Sequence, residues 1–182
     1  CDAMDKPVDK KNIISACLLH DIGNMSKFKL DRFPEMLEPE GFGYWDKVQK
    51  EFIQKYGTDD YRATYTILDE LGISGRLYEL AHAIEFGKAP ENAKHDDIEK
   101  KICTYSDLRV TPFGIASLSE RLAEVKERYI KNKGITEEYF NNLGKNMATI
   151  ESQIFSQASI KPEDVTDQNV SEIIKQLEKF VI

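Results

Sequence analysis

The chain has 182 residues, 41% hydrophobic and 31% charged, and carries a formal net charge of −7, which fits one soluble globular domain over 1–182 and argues against a general nucleic-acid-binding surface. No apolar run approaches the ~18–20 residues of a membrane span, and no signal-peptide pattern opens the chain. The three cysteines (Cys1, Cys17, Cys103) are odd in number and widely spaced, so the expectation is a reducing cytoplasm without a disulfide framework.

Taken in order, Asp9 caps a helix predicted from Lys10 to about Ile22, with Gly23-Asn24 as its stop. Its apolar run (Ile13, Ile14, Ala16, Cys17, Leu18, Leu19) ends in the adjacent pair His20-Asp21. An imidazole and a carboxylate side by side offer a divalent cation one nitrogen and one hard oxygen. Consecutive helical side chains diverge by about 100°, so the pair needs a third ligand from another element. Residues 24–40 read as irregular, broken by Pro34 and Pro39, and hold Lys27, Lys29 and Arg32. Solvation is the ordinary fate of such residues. The functional alternative is that Lys27 or Arg32 donates to a substrate phosphate.

Three helices are predicted next. One runs from Gly41 to Lys55 with Trp45, Val48 and Phe52 on one face, and one runs through Leu71 behind a Thr58 or Asp59 cap. The third starts at Ser74, runs to Phe86, and carries His82 beside the stripe Leu77, Leu80, Ala81 and Ile84. Gly87 and Pro90 follow, and His95 falls in a polar stretch read as surface loop. Asp96 with Glu99 fits a capping box for a helix through Asp107. A carboxylate in that last turn is disfavoured by the helix dipole, which predicts a partner: Arg109, or a metal shared with His20 and Asp21. Ser117 with Glu120 opens another helix, ended by Gly134. Thr136 caps one over about Glu137–Ala158, and a last amphipathic helix spans about Val170–Phe180. Almost nothing alternates with period two, so the fold class is all-α.

The apolar run ending in His-Asp-Ile-Gly, with Tyr105-Ser-Asp-Leu-Arg-Val110 downstream, resembles the HD superfamily of metal-dependent phosphohydrolases. The resemblance covers about residues 10–130. It implies an HD-like helical bundle, with the helices of about 136–182 as additions. It further implies a divalent metal ion (Mn, Fe, Co, Mg or Ni) on His20, Asp21 and Asp107. Asp21 would also orient water, and Lys27, then Arg109 or Arg32, would offset phosphate charge. His82 lies where relatives place a substrate or second-metal histidine. The implied partner is a small phosphorylated substrate such as a nucleotide, and a homo-oligomer is compatible with it. The family's first histidine, upstream of the pair, has no counterpart in residues 1–19; the chain reads as entering midway, or its site as incomplete. The alternatives are a catalytically inactive HD-fold module that binds a ligand or a protein partner, and a structural domain in which Asp107 pairs with Arg109.

Overall fold

The computed structural model describes residues 1–32, 34–133 and 136–182. Among these residues the fold is all-α apart from one small hairpin. The helices are α1 (Lys10–Leu19), α2 (Gly41–Tyr56), α3 (Asp60–Glu70), α4 (Gly75–Ala83), α5 (Ala89–Lys94), α6 (Ile98–Asp107), α7 (Leu118–Lys133), α8 (Glu137–Phe155) and α9 (Asp167–Leu177). Gly134, expected to stop α7, lies outside the described residues. No described helix is long and apolar enough to cross a membrane. The chain divides into two compact units, one of Cys1–Cys17 with Leu80–Ile182, the other of Leu18–Glu79.

In the first unit α8 is the central element, packed against α5, α6 and α7. Its apolar residues recur every three or four positions, and Phe140, Leu143, Met147, Ile150 and Ile154 are all buried. Thr136 caps α8 by accepting from the Tyr139 amide, and the Ser117–Glu120 box opens α7 as expected, Glu120 accepting from the Ser117 amide at 2.8 Å. Helix α6 begins one residue later than predicted. Asp97 rather than Asp96 accepts from the Lys100 amide, while Glu99 accepts from the Asp9 amide at 2.6 Å. Helix α5 occupies a stretch whose Gly87, Pro90 and polar residues read as loop in the sequence. Pro90 sits in its first turn, where a missing N–H costs nothing, and α5 buries Ala89, Asn92 and Ala93. The Asn92 amide is satisfied there by the Ala83 carbonyl and the Thr104 hydroxyl, both at 2.8 Å.

After α6 the backbone turns through a hairpin, β1 (Val110–Thr111) against β2 (Gly114–Ile115). Gly114 takes φ +123°, open to glycine alone at little cost. Arg109, just before the hairpin, is 6% exposed. Its Nε donates to the Ala116 carbonyl at 2.6 Å, its Nη2 to the carbonyls of Pro162 and Val165, and its Nη1 to the Tyr105 hydroxyl. One guanidinium thus ties the end of α6 to the hairpin and to the segment before α9. Helix α9 buries none of its residues, and Ile173 and Ile174 are exposed on it.

In the second unit α2 and α3 pack against the 3₁₀ turn Asn24–Ser26. Gln49 on α2 donates to the carbonyls of Met25 and Phe28, and Trp45 donates to that of Leu37. Three backbone carbonyls of the stretch read as irregular are therefore satisfied by side chains of α2.

Candidate metal centre

Helix α1 stops at Leu19, three residues before the expected end. Beyond it the chain makes tight turns: Ile22 N donates to Leu19 O at 3.1 Å, and Asn24 N to Asp21 O at 2.9 Å. His20 and Asp21 are thus released from the helical divergence of neighbouring side chains. Nε2 of His20 lies 3.4 Å from Oδ2 of Asp21.

Gly23 has a different role from the helix stop expected of it. Its φ of −82° is open to any residue. What it supplies is close approach to α3: a Cβ there would lie 2.3 Å from the Asp60 carbonyl oxygen and 2.5 Å from the Thr64 amide nitrogen. With that room, Gly23 N donates to Thr64 Oγ1 at 3.1 Å, and the same hydroxyl donates to the His20 carbonyl at 3.3 Å. Thr64 is 3% exposed. Asp59 caps α3 by accepting from the Arg62 amide at 2.8 Å, which fixes the helix on which Thr64 stands.

Asp107 is the last residue of α6 and is half-buried. His20 and Asp21 belong to the second unit and Asp107 to the first. The imidazole nitrogen of His20 and the carboxylate oxygen of Asp21 together suit a borderline or hard divalent ion. On α4, Nε2 of His82 stands 3.5 Å from Oε1 of Glu85 on the following turn.

The expected phosphate-binding cations differ in their commitments. Lys27 forms an ion pair with Asp60, at the start of α3, and is partly exposed. Arg32 is exposed in the loop that follows. Arg109 donates through Nε, Nη1 and Nη2 to three carbonyls and a phenol, as described above, so its position is that of a structural clamp. Thr64 carries no signal in the sequence, and Asp60 reads there only as a first-turn acid suited to the helix dipole. Comparison of the chain with family models, with curated proteins and with solved structures finds no match.

Proposed function

We propose that the protein is a metal-dependent phosphohydrolase acting on a nucleotide or another small phosphate ester. The observation that carries this reading is the adjacent pair His20 and Asp21, whose Nε2 and Oδ2 stand 3.4 Å apart on a turn held by Thr64. The resemblance of the flanking sequence to the HD superfamily supports it. A divalent cation supplies Lewis acidity toward a phosphoryl oxygen and toward water. The imidazole of His20 and the carboxylates of Asp21 and Asp107 would hold that cation. Asp21 would also accept a hydrogen bond from the attacking water and orient it. Lys27, beside this loop, would draw the phosphate by exchanging its Asp60 partner for a phosphate oxygen. With Arg109 bound to its carbonyls, Arg32 is the second candidate for that role.

The test is metal analysis of the purified protein followed by a phosphate-release screen over nucleotides and phosphomonoesters with Mn²⁺ or Co²⁺. The expected result is about one bound ion per chain and turnover that Asp107→Asn abolishes while the helical circular dichroism is kept. A chain that binds neither ion and releases no phosphate overturns the reading. The alternative, a non-catalytic helical module, draws on α9, whose Ile173 and Ile174 are 45% and 50% exposed as if to meet a partner.

A further inference from the structure

We infer that Thr64 positions the two adjacent metal ligands through its hydroxyl, an inference that rests on the metal-dependent reading above. The carbonyl to which Thr64 Oγ1 donates belongs to His20, so it is part of the peptide unit that joins His20 to Asp21. Holding that plane fixes ψ of His20 and φ of Asp21. Those two torsions set the angle between the two ligand side chains.

The same oxygen accepts from the Gly23 amide at 3.1 Å. The hydroxyl therefore grips the turn on both sides of Asp21, once before it and once after it. A hydroxyl can do both at once, having one proton to give and lone pairs to receive. At 3% exposure no bulk water competes for it. Gly23 lies close enough to the Asp60 carbonyl and the Thr64 amide that the turn has no room to drift toward α3. Asn24 N, bound to Asp21 O at 2.9 Å, closes the turn on itself. The helix brings the chain as far as Leu19, and the threonine sets the geometry of the two residues that follow. Groups that orient metal ligands in this way commonly change affinity by about 10–100-fold when removed.

The experiment compares Thr64→Val, which keeps the shape and removes the hydroxyl, with Thr64→Ser, which keeps the hydroxyl. Thr64→Ala serves if the valine variant does not fold. Two quantities are read on the whole chain: Mn²⁺ affinity by calorimetry, and hydrogen exchange of the Gly23 amide in metal-free protein. The expected result is Mn²⁺ binding weakened roughly tenfold or more in Thr64→Val and within about twofold of wild type in Thr64→Ser. The Gly23 amide should exchange faster in Thr64→Val alone. Unchanged Mn²⁺ affinity in Thr64→Val overturns the inference and leaves the metal-dependent reading standing, as does equal weakening in Thr64→Val and Thr64→Ser. Absence of Mn²⁺ binding by the wild-type chain defeats that reading, and the inference with it.

Discussion

Lys27 and Asp60, 33 residues apart, are joined by an ion pair that spans the loop after the metal-ligand turn and the start of α3. The lysine side chain is 40% exposed and the aspartate 20%. Such a pair contributes little to folding, on the order of 1 kcal/mol or less. For the proposed reaction its consequence is larger, because Lys27 would reach a phosphate only by leaving or sharing Asp60. Lys27→Met is expected to raise KM for a phosphate ester about tenfold, the size of one hydrogen bond to a charged group. Asp60→Asn is expected to lower KM by freeing the ammonium. Steady-state phosphate release at several substrate concentrations measures both, and Mn²⁺ affinity should stay constant. An unaltered KM in Lys27→Met removes the lysine from the site.

Two glycines in similar helical backbone lead to opposite expectations. At Gly23 an added Cβ meets the Asp60 carbonyl oxygen at 2.3 Å and the Thr64 hydroxyl at 2.6 Å, backbone and buried side chain that cannot move aside. Gly23→Ala should therefore cost about 3 kcal/mol, at the upper end of overpacking substitutions. Gly144 lies inside α8, and a Cβ there meets only Leu122 Cδ1, at 3.8 Å. Gly144→Ala should stabilise by about 0.5–1 kcal/mol by restricting the unfolded chain. Urea unfolding of both variants reads the pair. A Gly23→Ala protein as stable as wild type would mean the turn does not sit against α3 as described.

These two positions also mark what local sequence can and cannot convey. The apolar spacing of α8 and the Ser117–Glu120 and Thr136 caps depend on residues within a turn or two of one another, and they are legible. The pair His20-Asp21 stands out as well, because two chemically costly neighbours end an apolar run, and their Nε2 and Oδ2 lie 3.4 Å apart. The end of α1 was not legible: helix-forming residues continue to Ile22, and the turn that replaces them is held by Thr64, more than 40 residues away. Helix α5 was hidden because Pro90 signals a break unless the first-turn position is known. In the sequence Arg109 reads as an ion-pair partner of Asp107 or as a cation for a phosphate. Its acceptors at 116, 162 and 165 become visible only once the hairpin and the segment before α9 are folded around it.

The same clamp carries a pH dependence. Tyr105 is 6% exposed, donates to Oε2 of Glu151 at 2.6 Å and accepts from Arg109. Burial and then the Glu151 carboxylate hold its phenol proton to higher pH than in the unfolded chain, outweighing the opposite pull of Arg109. Below pH about 10, the unfolded value for tyrosine, both states keep the proton and the contribution to stability is whole. As pH rises past that value the unfolded chain releases the proton first, so folding stability falls, by up to about 1.4 kcal/mol per pH unit. Between pH 10 and 11 the wild-type chain should therefore lose about 1 kcal/mol more than Tyr105→Phe, in which that phenol is gone. Lysines and the other tyrosines titrate in both proteins and cancel in the difference. Urea unfolding at pH 8, 10 and 11 supplies the comparison. Tyr105→Phe is less stable than wild type at pH 8, because Glu151 and Arg109 each lose a partner, so the slope and not the level is the readout. Parallel declines in the two proteins would place the Tyr105 proton in ordinary exchange with solvent and undo the buried network of Tyr105, Arg109 and Glu151.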